Sequence, residues 1–443
     1  MKKSLEDIYL IILFFLYNLL LVDVTVFGLG IKTMLLLGIT LIVMLIHTIK
    51  RQGERLEIHL THLDMVICAA GICGLVVFVY KLIADPLNYE PEMTVLTLCL
   101  LYYLIRVRRE PVDKDLIFLF SISNAIVSVM LLIHYVVNAD LRLPIDMLLE
   151  NNAIFSWLIL AITVNAVGYC IYEGKEIWYG VNAVVGFFLL FIQKNVIAIG
   201  MMGVLLLLLP LVYMPTKRLI KNSMQMFFGY AFLLCNMSLL TGYTELIKVT
   251  VTYDLEISVY LELGLAIFGV FFFHYWDKYI SEEDDDRMLF PELREFFKKV
   301  LCVIAIVTVV FMAAMIRGNT AIIPEILGRI IEQGRVGLVN QVGSFEAVAE
   351  SFGGIGVGFL LYLYYTMMYC LIRRKKTKVS RHQKLFRIVT VMFLMQSLFL
   401  TQSMMTVSIY LVFVISFLKD TNLFGEKMKG EDTNEIDYSD SML

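Results

Sequence analysis

Three arginines stand close together late in the chain, in the stretch RGNTAIIPEILGRIIEQGRVGLVNQVGSFEAVAESFGGIGVG from Arg317 to Gly358. A guanidinium stays charged at any ordinary pH, and its planar fork holds two oxygens of a phosphate or pyrophosphate at once. Arg317, Arg329 and Arg335 are therefore candidate ligands for such a group. They are not equivalent. Arg329 has Glu325 four residues before it and Glu332 three after, so it can be neutralised on its own helix. Arg335 follows Gly334, a helix-ending residue, and keeps a freer guanidinium. Arg317 sits where an apolar run ends and is either a ligand or a snorkelling anchor. Glu346 and Glu350 follow, four apart, and on a helix they share one face. Either can serve as a base on a hydroxyl; the plainer reading is a solvated helix entry.

Smaller signals surround this stretch. Residues 321–333 carry an apolar stripe of Ile322, Ile323, Ile326, Leu327, Ile330 and Ile331, which fits a helix lying on a membrane surface or plugging a bundle. Gly354 and Gly358 have the spacing of a helix-packing face, and GGIGVG lacks the preceding strand of a dinucleotide fingerprint. Lys194, in LLFIQKNVIAIGMM, is a lone cation at a break between apolar runs, either an anion ligand or an anchor. His134 ends an apolar run and is a candidate base or an interfacial residue. Glu262 is an intramembrane carboxylate, and Lys81 either pairs with it or snorkels. The acidic run Glu282–Asp286 is either a divalent-cation site or, the plainer reading, a hydrated cytoplasmic loop. The cysteines at 68, 73, 99, 170, 235, 302 and 370 lie in or at the ends of apolar runs, without metal spacing or loop pairing.

The elements that must position these residues are membrane helices. The chain has 443 residues, of which 59% are hydrophobic and 17% charged. Apolar runs near twenty residues long predict an all-α polytopic integral membrane protein of about 14 transmembrane helices. They fall at roughly 7–22, 29–48, 64–85, 93–105, 115–137, 153–171, 177–192, 195–213, 224–243, 256–276, 300–316, 354–372, 385–400 and 404–418. The pair within 177–213 also reads as one broken hairpin, interrupted at Gln193-Lys194. The first run continues toward a second without a small-residue cleavage site, so it is expected to stay as a helix. With the N-terminus inside, the inner loops collect Lys50, Arg51, Arg55, Arg106, Arg108, Arg109, Lys114, Lys217, Arg218, Lys221 and the RRKKTKVSRHQK run. Arg142, Lys194, Lys248, Arg317, Arg329 and Arg335 then lie outside, in loops otherwise poor in cations. The expected organisation is a single transmembrane domain over 1–420, one longer extracytoplasmic loop at about 317–353, and a disordered cytoplasmic tail over 421–443.

The layout resembles the superfamily of Wzy-type polysaccharide polymerases and O-antigen ligases. Three features carry the resemblance, over roughly 177–420: the basic break and apolar run QKNVIAIGMMGVLLLLL, the Gly-Arg unit in GRVGLVN, and GSFEAVAESFGGIGVGFLLYLYY followed by a basic inner loop and two closing spans. Lys194 stands where an arginine is usual, and Ser344 and Phe345 stand near the place of a frequent histidine. The resemblance implies glycosyl transfer from a glycan on polyprenyl pyrophosphate at the outer face of a bacterial cytoplasmic membrane. Arg335, Lys194, Arg329 and Arg317 are then expected to bind the pyrophosphate, and Glu346, Glu350 or His134 to act as base. The expected partners are the lipid-linked oligosaccharide, the lipid bilayer and a chain-length regulator, with no nucleic acid, metal or cofactor. Two other readings stay open: a flippase for lipid-linked oligosaccharide or another transporter, and a membrane glycosyltransferase using an acidic first outer loop, where Asp23 stands.

Overall fold

The structure, a computed structural model, describes residues 5–20, 25–26, 29–50, 60–84, 90–108, 112–136, 154–192, 196–212, 217–240, 263–267, 269–270, 274, 344–372, 381–397, 400 and 402–421. The described chain is helical apart from one small antiparallel ladder, Thr25–Val26 against Leu29–Gly30. Helix α1 (Leu5–Ile11) runs directly into a π-helical stretch, Ile12–Tyr17. There follow α2 (Ile31–Lys50), α3 (His62–Ala84), α4 (Glu90–Val107), α5 (Lys114–Val136), α6 (Ile154–Ile171), α7 (Glu176–Ile192), α8 (Val196–Val212) and α9 (Lys217–Leu240). Later in the chain come α10 (Ser344–Ile372), α11 (Arg381–Ser397) and α12 (Met404–Asp420).

Helix α6 is the axis of the packing. Its sequence, IFSWLILAITVNAVGYCI, is apolar on every side, so no stripe marks a solvent face, and a helix of that kind has to be enclosed. Every residue of α6 except Tyr169 is buried, among α5, α7, α8, α9, α11 and α12. Its closest partner is α7, reached through a short turn in which Gly174 takes φ +78°. Glycines let the two backbones approach: a Cβ at Gly168 would lie 2.6 Å from the Tyr179 ring, and one at Gly186 2.5 Å from Ile162. Phe14, Phe120 and Phe413 join the π-helical stretch, α5 and α12, with ring centroids 5.6–6.3 Å apart.

Elsewhere the helices turn apolar side chains outward. Ile42 and Leu45 on α2, Ile72, Val76 and Ile83 on α3, and Ile355 and Leu361 on α10 are exposed. Such faces suit acyl chains, not water. Among the described residues, five segments are long and apolar enough to cross a membrane: Ile31–Ile49, His62–Ala84, Lys114–His134, Ile154–Ile171 and Gly354–Ile372. The chain is thus a helical membrane protein; the expected count of about 14 spans is not confirmed by the described residues, which leave out 300–316 and most of 256–276.

Several boundaries differ from the sequence reading. The short fourth run is a full helix, Glu90–Val107, because charged residues at both of its ends have partners inside the protein. Helix α10 starts at Ser344, well before the apolar run begins, so the end of the expected loop is helical. The stretch over 177–213 forms two helices, Glu176–Ile192 and Val196–Val212. Of the expected 256–276 span only residues 263–267, 269–270 and 274 are described; 300–316, the acidic run at 282–286 and the tail beyond 421 lie outside the described residues.

Candidate functional site

Charged side chains hold one end of the bundle together. Asp64, 1% exposed, sits three residues into α3, and with Thr61 it forms a capping box. The Thr61 amide and hydroxyl donate to Asp64 Oδ2 at 2.9 and 2.8 Å, and the Asp64 amide donates back to Thr61 Oγ1 at 3.3 Å. The other carboxylate oxygen accepts from the Tyr102 hydroxyl at 2.7 Å and lies 3.5 Å from Arg106 Nε. Beside it Arg108 donates to Asp7 at 2.6 Å, and His47 Nδ1 meets Glu6 at 2.9 Å. Lys419 donates to the carbonyls of Ile105 and Arg108 at 2.7 and 2.5 Å, which satisfies the last turn of α4 from another helix. Thr421 approaches the Cys370 sulfur at 3.7 Å. The starts of α1 and α3 and the ends of α2, α4, α10 and α12 therefore share one end, called here the clasp.

Two polar knots lie within the bundle. Asn18, fully buried, donates to Ser123 Oγ at 2.6 Å and Asn124 Oδ1 at 2.9 Å, and accepts from Trp157 Nε1 at 2.9 Å. Ser121 donates to Asn165 at 2.5 Å and accepts from Trp178 and Asn182 at 3.1 and 3.2 Å. In a low-dielectric interior such amides need partners, and these supply them across the end of the π-helical stretch, α5, α6 and α7.

The opposite end is formed by the end of α3 and the starts of α4 and α10. They meet at Gly74, where a Cβ would lie 3.7 Å from the Glu92 carbonyl oxygen and 3.9 Å from the Phe352 ring. Beyond that meeting point Lys81 Nζ lies 2.9 Å from Glu92 Oε1. Glu92 is fully buried and Lys81 a quarter exposed. With α10 antiparallel to α3, counting two turns from Gly74 to Lys81 and two turns back from Phe352 brings the backbone near Phe345 level with Lys81, each about 10 Å from the meeting point. The apolar part of α10 is Gly354–Ile372, so residues 344–353 continue the helix about 15 Å past it.

The residues singled out from sequence divide as follows. Glu346 and Glu350 stand one turn apart in the projecting start of α10. His134 lies half-buried in the last turn of α5. Helix α5 packs on α1, α6 and α7, and α10 on α3, α4, α11 and α12, so the histidine and the glutamates belong to different groups of helices. Arg317, Arg329, Arg335, Lys194 and Glu262 lie outside the described residues. Lys81 is not a snorkelling residue; its partner is Glu92. Arg106 and Arg108, expected as loop cations, are buried in ion pairs. Asp64 and Glu92 escaped the sequence reading, although Thr61-His62-Leu63-Asp64 is a capping-box signature ahead of an apolar run. No family model, curated protein or solved structure matches this chain.

Proposed function

We propose that the protein is a membrane glycosyltransferase that polymerises or ligates oligosaccharide units carried on polyprenyl pyrophosphate, at the outer face of the bacterial cytoplasmic membrane, in surface-polysaccharide biosynthesis. The observation that supports this reading is the projecting start of α10. It carries the end of the arginine-bearing stretch to the end of the bundle opposite the clasp, beside the exposed apolar faces of α3 and α10, where a lipid carrier can lie. In this reading an acceptor hydroxyl oxygen attacks the anomeric carbon, the bond from that carbon to the pyrophosphate breaks, and the hydroxyl proton passes to a base. Glu346 and Glu350 fit the base's role, being in the projecting helix, whereas His134 stands on α5. Arg335, together with Lys194, Arg329 and Arg317, neutralises the charge that grows on the departing pyrophosphate.

The test is polymer yield from a purified lipid-linked repeat, with expression and membrane insertion checked for each variant. Arg335→Ala should lose roughly 2–4 kcal/mol of transition-state stabilisation, about thirty- to a thousandfold in rate. Arg335→Lys keeps the charge without the fork and should fall between. Arg329→Ala should cost much less, since Glu325 and Glu332 flank it in sequence. Full activity in both alanine variants would overturn the reading and favour a flippase.

A further inference from the structure

A surface groove of about 490 Å³ lies between the starts of α5 and α7, on the clasp side, where α5 begins just after Arg108. Its walls are Phe118 and Trp178, whose rings meet edge to face at 6.1 Å. Lys175 reaches across it, with Nζ 3.7 Å from the centre of the Phe118 ring and 3.8 Å from Asp115 Oδ1. The membrane-crossing segment of α5 begins at Lys114, so the groove sits where hydrocarbon gives way to headgroups. Ile177, Val181 and Val184 are exposed on one face of α7 and lead from the groove toward the hydrocarbon layer. Residues that merely anchor a helix at the interface are built differently: the tryptophan turns its N–H to the headgroups and the lysine extends to water. Here Trp178 Nε1 donates inward to Ser121 Oγ at 3.1 Å, which fixes the ring as a wall, and Lys175 lies back over Phe118. The Lys175 ammonium gives no hydrogen bond to a described residue. Its pair with Asp115 is long, and the two side chains are 40% and 73% exposed, so a ligand can engage either without stranding a buried charge.

We infer that this groove binds a phospholipid with a primary-amine headgroup, its phosphate on Lys175 and its ammonium on Asp115. The charges select the class. One cation, Lys175, stands among two carboxylates, Asp115 and Glu176. An anionic lipid would answer the lysine and meet the carboxylates with nothing to offer them. A zwitterion gives each sign a partner, and a primary ammonium donates hydrogen bonds to a carboxylate where a quaternary one has no N–H. The acyl chains then follow the exposed face of α7. No covalent bond changes, and the inference is independent of the reaction proposed above.

The test is native mass spectrometry of the full chain released from a mild detergent, with phosphatidylethanolamine, phosphatidylglycerol and phosphatidylcholine of identical acyl chains added at equal concentration. The parent should retain phosphatidylethanolamine on the order of tenfold more tightly than the other two, the gain of one charge-assisted hydrogen bond. Lys175→Gln should lose most of that retention while keeping the parent's thermal midpoint, because a loose, exposed pair adds little to stability. Asp115→Asn should keep the phosphate contact and bring phosphatidylethanolamine down to the level of phosphatidylglycerol. Equal retention of the three lipids by the parent makes the groove ordinary lipid contact and overturns the inference. So does tighter retention of phosphatidylglycerol, and so does a parent-like preference in either variant. Glycerophosphoethanolamine, the same headgroup without chains, is the second arm. It should displace the lipid only at far higher concentration; if it competes as well as the lipid does, the ligand is a soluble phosphoamine and the lipid assignment falls.

Discussion

Replacing Asp64 by alanine tests whether the clasp holds the bundle. The side chain carries four described contacts: two from Thr61, one from Tyr102 and the approach of Arg106 Nε. Loss of the capping half alone costs about 0.5–2 kcal/mol. The Tyr102 hydroxyl, on a side chain 2% exposed, then lacks its carboxylate acceptor, worth about 1–3 kcal/mol. Arg106, also 2% exposed, loses the carboxylate beside it, and breaking a buried pair from one side typically costs about 3–5 kcal/mol. These terms share one side chain and do not add, so about 3–5 kcal/mol is expected for Asp64→Ala. Asp64→Asn keeps the shape and one acceptor and should lose about half of that. Tyr102→Phe removes a single bond to a charged group, about 1.5–3 kcal/mol, and should be nearly silent in the Asp64→Ala background. The assay is denaturant unfolding of the purified chain in a mild detergent, followed by loss of helical signal. If Asp64→Ala unfolds within 1 kcal/mol of the parent, the clasp is an incidental pairing of surface charges and the energetic argument fails.

Two further outcomes follow from the interior. Asn18→Leu should cost about 2–4 kcal/mol, because it strips Trp157 of its acceptor and Asn124 of a donor where water cannot replace them; Trp157→Phe, which removes one bond only, should cost about 1 kcal/mol in the same unfolding assay. Gly168→Ala should destabilise by about 1–3 kcal/mol, since its Cβ would lie 2.6 Å from the Tyr179 ring, whereas Gly200→Ala, with nothing within 4 Å, should be neutral or slightly stabilising.

The helices were legible because hydropathy reports directly on what lipid requires. Apolar runs at 64–85, 115–137 and 153–171 coincide with α3, α5 and α6 to within two residues. What hydropathy cannot register is a helix whose ends are polar for internal reasons. Glu90, Glu92 and Arg106 truncate the apolar run of α4, although the last two are buried against Lys81 and Asp64. The same blindness hid the start of α10, where Ser344, Glu346 and Glu350 look like loop because they project past the apolar segment. Of the proposed site, the residue types were readable but not their company. Nothing in the spacing of Lys81 and Glu92 says that one turns inward to the other; that follows from the α3–α4 hairpin and from the packing at Gly74.

The two ends of the bundle use their charges differently, and the difference bears on where chemistry can occur. At the clasp, Arg106 and Arg108 face Asp64 and Asp7, and Lys419 is taken up by the last carbonyls of α4. Arg106 and Arg108 are buried against these carboxylates and Lys419 makes two hydrogen bonds, so an arriving anion would have to break contacts inside the fold. At the other end Lys81 has one described partner, at the outer edge of the packing and a quarter exposed. Moving it would leave the fully buried Glu92 carboxylate alone, a loss of the same kind as removing Asp64 from Arg106. The clasp thus spreads its charges over several helices, whereas the end where α3, α4 and α10 meet rests on one buried pair.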